Sequence, residues 1–114
     1  MKISEIQKLL NAEVLTCKEN LDNDVKSACG SDMMSDVLAY VKDQAVLLTG
    51  LVNMQVIRTA EMMDMVCVVF VRNKVPTDEI LALAESKNIV VMKTGERMFD
   101  ACGILYSSGL RQVK

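Results

Sequence analysis

The chain has 114 residues, of which 51% are hydrophobic and 4% aromatic, and its formal net charge is −2. This length predicts one domain, residues 1–114, with a core that needs no metal or disulfide support. The small charge excludes a broad positive field for nucleic acid or anionic membranes. Because the chain contains no histidine, Ser–His and Cys–His nucleophile pairs and histidine-ligated zinc are excluded as well.

Neither the N-terminus nor any internal stretch has the pattern of a targeting or membrane segment. No apolar run approaches the roughly 20 residues that cross a bilayer. The opening MKISEIQKLLNAE carries acidic residues where a secretory signal has an unbroken apolar region. The four cysteines (Cys17, Cys29, Cys67 and Cys102) are widely spaced and form no C-x-x-C pair. The expected location is therefore cytoplasmic, with reduced thiols.

The first 44 residues predict two helices and two short strands. Ser4 and Gln7 have the spacing of a capping box at the start of the first helix. Short strands are predicted at 13–16 and 25–29, joined through turn residues at 22–24. The second helix is short and amphipathic, and its apolar positions are Val37, Leu38 and Val41.

From residue 45 onward, three apolar strands alternate with three amphipathic helices. The strands are predicted at 45–48, 65–71 and 89–92, and Thr77 is the predicted N-cap of the middle helix. Strands with unbroken apolar runs are covered on both faces, which favours a mostly parallel sheet between helical layers. The predicted fold is a single three-layer α/β domain, in which an N-terminal helix and short strands precede βαβαβα.

A candidate ligand site follows from this fold, because ligands of open α/β sheets bind outside the carboxyl ends of the strands. Three loops meet there, at residues 49–53, 72–77 and 93–96. Their amides and hydroxyls would bind phosphate oxygens, and an arginine would neutralise the phosphate charge. The candidate ligand-binding residues are Thr49, Gly50, Asn53, Arg72, Asn73, Thr94 and Gly95.

Other interpretations of these loops stay open. Neither G-x-x-x-x-G-K-[ST] nor G-x-G-x-x-G occurs in the chain. The simpler interpretation of Thr49-Gly50 is a turn in which glycine permits a positive φ, and Thr94 is a candidate N-cap for the last helix. No pair of carboxylates is placed as a general acid and base would be. The sequence therefore predicts neither a catalytic site nor a cofactor.

Three segments resemble the DRTGG domain family, namely ISEIQKLLNAEVLT, SDMMSDVLAYVKDQAVLLTG and ILALAESKNIVVMKTGERMFDACGIL. The chain looks like a small stand-alone member. Related modules form the middle domain of some bacterial phosphotransacetylases and stand beside CBS domains in regulated pyrophosphatases. A similar fold forms the N-terminal domain of the kinase that phosphorylates the sugar-transport phosphocarrier. The resemblance implies a regulatory or assembly module, often dimeric, outside any catalytic centre.

The chain departs from this family at the residues that give the family its name. Val52-Asn53 stands where the family has Asp-Arg, and Val71-Arg72-Asn73 stands where it has Thr-Gly-Gly. Close approach of a backbone to a ligand depends on glycine. The substitutions therefore weaken an inherited small-molecule site and favour protein contacts.

Two functions are consistent with the sequence. The first is a non-enzymatic regulatory or protein-interaction module, homodimeric, with a separately encoded enzyme or regulator as a further partner. The alternative is a sensor domain that binds a nucleotide or phosphorylated metabolite at the carboxyl edge of the sheet. Neither function involves nucleic acid or a membrane.

Overall fold

The computed structural model describes residues 1–40 and 44–111. Val41, a predicted apolar position of the second helix, lies outside the described residues. The elements in chain order are α1 (Ile3–Leu10), β1 (Glu13–Val14), a 3₁₀ turn (Lys18–Asn20), β2 (Ser27–Gly30), α2 (Met34–Tyr40), β3 (Ala45–Thr49), α3 (Met54–Met62), β4 (Cys67–Phe70), α4 (Asp78–Ser86), β5 (Val90–Lys93) and α5 (Met98–Ser107).

The five strands form one sheet in the order β1-β5-β4-β3-β2. β2, β3, β4 and β5 are parallel, and only β1 runs antiparallel, against β5. Helices α1 and α5 pack on one face of the sheet, and α2, α3 and α4 pack on the other. The predicted three-layer α/β fold with a mostly parallel sheet is confirmed.

The apolar runs of the central strands serve both faces of the sheet. Successive side chains of a strand point to opposite faces. In β3, Val46 and Leu48 accordingly join the core beneath α1 and α5, whereas Ala45 and Leu47 join the core beneath α2, α3 and α4. All five residues of β3 are buried. This double burial explains why β3 shows no alternation of polar and apolar residues.

The predicted capping box at Ser4 and Gln7 is wrong, because α1 begins at Ile3. The carboxylate of Glu5 instead accepts a hydrogen bond from the backbone N–H of Lys2, at 3.2 Å. The next amides donate to carbonyls of the loop at residues 21–23: Ile3 N lies 3.1 Å and Ser4 N 2.9 Å from its oxygens. The start of α1 is thus held both by a local cap from Glu5 and by tertiary hydrogen bonds to the loop at residues 21–23.

The predicted N-cap at Thr77 is confirmed. Its hydroxyl accepts a hydrogen bond from the backbone N–H of Ile80, at 3.3 Å. None of the helices in residues 1–40 and 44–111 has the length and apolar character that crossing a bilayer requires.

Thr16 attaches the segment after β1 to β5 through a buried hydroxyl. The hydroxyl donates to the carbonyl of Ile89 at 2.7 Å and accepts from the N–H of Val91 at 2.8 Å. Thr59, on α3, is buried to the same degree, but its hydroxyl has no hydrogen-bond partner among the described residues. The two threonines therefore form a matched pair for testing the hydroxyl contribution.

Replacing Thr16 with Val should lower the free energy of unfolding by about 1–3 kcal/mol, because two buried backbone groups lose their partner. Thr59→Val is the control and should be neutral or stabilising, since it removes a buried hydroxyl that lacks a partner. Urea denaturation measures both changes. Equal effects of the two substitutions would contradict the inference that the hydrogen bonds of the Thr16 hydroxyl stabilise the fold.

Candidate functional site

The three predicted loops lie side by side at the carboxyl edge of the sheet. They follow β3, β4 and β5, which are neighbours in the strand order. Backbone hydrogen bonds join them, from Val71 N to Thr49 O at 3.0 Å and from Asn73 N to Thr94 O at 2.8 Å. The predicted proximity of the loops is confirmed.

Asp32, which the sequence analysis did not identify as a site residue, reaches this edge from the loop after β2. Its Oδ1 accepts from the Thr49 hydroxyl at 3.1 Å and from the Gly50 N–H at 2.7 Å. Thr49 Oγ1 in turn accepts from the N–H of Leu51 at 3.1 Å. A carboxylate thus occupies the position at which the glycine turn would bind an anion. The sequence contained one indication of this role, because Asp32 follows a strand that ends at the same edge of the sheet.

Gly50 was predicted to permit a positive φ in the turn, but the structure gives this glycine a different role. Among the described residues, the only glycine with a positive φ is Gly109. A Cβ at position 50 would collide with the guanidinium of Arg72, whose Cζ would lie 3.2 Å away. Likewise, a Cβ at position 95 would lie 3.3 Å from Nδ2 of Asn73. Both glycines make room for side chains of the neighbouring loop.

Arg72 and Asn73 form the two central positions of a tight turn. Both have left-handed backbones, with φ of 59° and 56°, and Lys74 N donates to Val71 O at 3.3 Å. This is the geometry of a type I′ turn, which ordinarily selects glycine or asparagine. An arginine in this conformation costs about 1–2 kcal/mol. The hydrogen bond from Arg72 N to the loop after β5, at 2.8 Å, helps to hold the turn.

Asn53 and Thr94 have structural partners. The Asn53 side chain caps α3 by accepting from the N–H of Val56 at 3.2 Å. The Thr94 hydroxyl donates to the carbonyl of Leu10 at 2.6 Å and accepts from Glu96 N at 3.2 Å. The prediction that Thr94 is the N-cap of the last helix is wrong, because α5 begins only at Met98. Thr94 instead joins α1 to the turn after β5.

Six of the seven predicted residues meet through these contacts, and Asn53 lies apart at the start of α3. Arg72 and Asn73 are exposed, as is the adjacent Lys74. Arg72 and Asp32 both approach Gly50, yet no ion pair joins these two described side chains. What the edge offers to a ligand is therefore exposed charge of both signs, positive at Arg72 and Lys74 and negative at Asp32, since its hydroxyls are already hydrogen-bonded internally.

The cysteines add no nucleophile to this edge. Burial raises the pKa of the Cys29 and Cys102 thiols, and also that of the fully buried Cys67. For Cys17, burial and then the hydrogen bond and charge of Glu85 raise the pKa to about 12. Its protonated thiol lies 3.1 Å from Glu85 Oε2. Cys17 therefore ties the 3₁₀ turn to α4.

Arg72→Gly should change the free energy of unfolding by less than about 1 kcal/mol, because relief of the left-handed strain is offset by the greater freedom of glycine in the unfolded chain. Arg72→Val should lower it by about 1–2 kcal/mol, since a β-branched residue tolerates this backbone poorly. Chemical denaturation provides both values. The exposed Lys74, which has no positive φ, gives the control Lys74→Val, expected within about 0.5 kcal/mol of wild type. If Arg72→Val lowered the free energy of unfolding no more than Lys74→Val does, the backbone strain assigned to Arg72 would be refuted.

A comparison with solved structures found the CBS and DRTGG domains of the regulatory region of Clostridium perfringens pyrophosphatase, complexed with its activator, diadenosine tetraphosphate. The TM-score is 0.75 at 17% sequence identity, and the match covers 94% of this chain and 46% of that one. The present chain thus spans less than half the length of that structure. At this identity the match establishes a shared fold. A comparison with curated proteins gave no match.

A comparison with protein families gave a match that spans most of the chain. The family described as the DRTGG domain matches residues 5–108. This range contains all five strands of the sheet and helices α2 to α5 complete. The chain belongs to the DRTGG domain family.

Proposed function

We propose that this protein is a non-enzymatic regulatory module that forms a homodimer and contacts a separately encoded enzyme or regulator. The observation that supports this most is the internal use of the polar groups at the carboxyl edge. The hydroxyls of Thr49 and Thr94 and the side-chain oxygen of Asn53 all have partners within the fold. A catalytic site needs groups that converge on a substrate.

The exposed apolar side chains point in the same direction. Several large apolar residues are more than 60% exposed, although the chain has enough buried aliphatic residues for two cores. Two of the exposed residues, Phe99 and Tyr106, lie on one face of α5, and contiguous exposed apolar surface is typical of protein contacts. The pyrophosphatase structure of similar fold is part of a regulatory region, which agrees with a role in control. The most exposed of these residues are Met33, Met62, Val75 and Phe99.

Light scattering on the purified chain at micromolar concentration should give twice the chain mass of 12.6 kDa. Two-fold symmetric dimers are the commonest soluble oligomers, and they bury apolar surface that a monomer leaves exposed. Dilution over two decades yields the dissociation constant. A species of the single-chain mass throughout this range would refute the homodimer.

A nucleotide sensor is the second candidate, favoured by the exposed cationic turn. Arg72 and Lys74 are exposed at the edge where the positive N-terminus of α3 also lies. The carboxylate of Asp32 already accepts the hydrogen bond from the Gly50 N–H. A phosphate group would therefore contact Arg72 and Asn73 unless Asp32 moved. The pyrophosphatase structure contains a nucleotide activator, which supports testing this class of ligand.

A thermal-shift screen with ATP, ADP, AMP, acetyl phosphate and dinucleotides tests the sensor. A ligand at 100 times its dissociation constant stabilises the fold by about 2.7 kcal/mol, which is a shift of several degrees for a domain of this size. Arg72→Ala should reduce the shift, whereas Arg58→Ala, an exposed arginine in α3, should leave it unchanged. No shift with any compound, or the same shift in both variants, would count against this site.

A further inference from the structure

The outer face of α5 carries a stripe of uncharged residues that the fold leaves uncovered. Phe99 is 87% exposed and Tyr106 is 60% exposed, and Gly103 lies exposed between them. At 3.6 residues per turn, these three residues fall within about 60° of the helix circumference. The stripe therefore forms one continuous surface over two helical turns.

Gly103 has no evident role within a single copy of the fold. A Cβ at this position would meet nothing within 4 Å in the described part of the chain, and its φ is not positive. Glycine in a helix interior is less favourable than alanine. Its missing side chain does leave the α5 backbone open to close approach from outside. A shallow groove of about 570 Å³ runs beside it, lined in part by Phe99 and Ile104.

We propose that the stripe formed by Phe99, Gly103 and Tyr106 is the interface of a two-fold symmetric homodimer. In this dimer the two α5 helices pack antiparallel and approach most closely at Gly103. Phe99 of each copy stacks on Tyr106 of the other. The inference rests on the proposed homodimer and assigns its contact surface.

The spacing of the stripe makes it complementary to its own symmetric copy. A two-fold axis midway between Phe99 and Tyr106 passes beside Gly103, so every Phe99 faces a Tyr106 across the axis. Isologous interfaces require this self-complementarity. The guanidinium of Arg111 lies 3.8 Å from the centroid of the Tyr106 ring. It covers one side of that ring, and the exposed remainder is available for the second copy.

The area is sufficient for a small specific interface. Buried aromatic side chains remove about 150–250 Å² each from solvent. Because Phe99 is 87% and Tyr106 60% exposed, the four rings of a dimer contribute on the order of 400–700 Å². The half-buried Met98 and Ile104 flank the stripe on α5 and extend the apolar surface. The total approaches the lower end of the roughly 1,200–2,000 Å² of stable interfaces.

The opposite helical layer offers no comparable surface among the described residues. Its most exposed apolar side chains come from three separate places: Met33 before α2, Met62 at the end of α3, and Val75 in the loop after β4. They do not share a helix face. The three stripe residues themselves are uncharged, although Glu96 and Asp100 line the adjacent groove. The symmetric spacing of the two exposed rings makes a second copy the occupant that fits the stripe.

Sedimentation equilibrium on the full chain tests the interface with three variants. Phe99→Asp removes an aromatic pair and places charge in the interface, and it should raise the dimer dissociation constant at least about tenfold. Gly103→Arg should do the same by separating the helices. Because the space around Gly103 is open and arginine is the better helix former, the monomer of this variant should be no less stable than the wild-type monomer when both are measured below the wild-type dissociation constant. Met62→Asp, at an exposed apolar site on the other layer, should leave the dimer intact.

The possible outcomes test the homodimer and its assigned surface on α5 separately. A monomeric wild type would overturn both the homodimer and its assigned surface. A dimeric wild type that Phe99→Asp and Gly103→Arg leave intact would overturn only the α5 interface. Dissociation by Met62→Asp alone would likewise overturn it and place the contact on the other helical layer. If Phe99→Asp fails to fold, Gly103→Arg still decides the result.

Discussion

The rest of the structure depends on the burial of the central strands on both faces. All four residues of β4 are buried, and both of its neighbours, β3 and β5, are parallel to it. Such strands must be covered by helices on each side. This requirement places α1 and α5 on one face and the other three helices on the opposite face, and it leaves β1 and β2 as edges. It also brings every loop after a parallel strand to the same end of the sheet.

Crowding at that end determines how its polar groups are used. Buried hydroxyls and amides need hydrogen-bond partners, and short neighbouring loops can supply them. Asp32 satisfies Thr49 and Gly50, and a carbonyl from α1 accepts the hydroxyl of Thr94. Arg72 and Asn73 adopt a left-handed turn, and Gly50 and Gly95 accommodate their side chains. The hydroxyls of Thr49 and Thr94 and the amide of Gly50 are thereby hydrogen-bonded within the fold.

The two proposed functions use different parts of this architecture. The regulatory homodimer uses helix surface, where apolar side chains remain exposed after both cores are filled. The sensor uses the cationic turn at the carboxyl edge. A helix face can change through one or two exposed side chains without altering the core beneath it. The same fold can therefore support different contacts in different members of a family, and function has to be argued from the particular surface.

The sequence by itself determined the layer architecture and the proximity of the three loops, because apolar periodicity and strand length reflect burial directly. It did not determine the partners of polar groups. The capping box at Ser4 was wrong, since α1 begins at Ile3 and its first amides donate to distant carbonyls. The N-cap at Thr94 was wrong, since α5 begins only at Met98 and the Thr94 hydroxyl donates to the carbonyl of Leu10. The contact of Asp32 with Gly50 spans 18 residues, and no local pattern encodes it. Only the tertiary structure decided these contacts, because a hydrogen bond depends on distances and angles that folding alone sets.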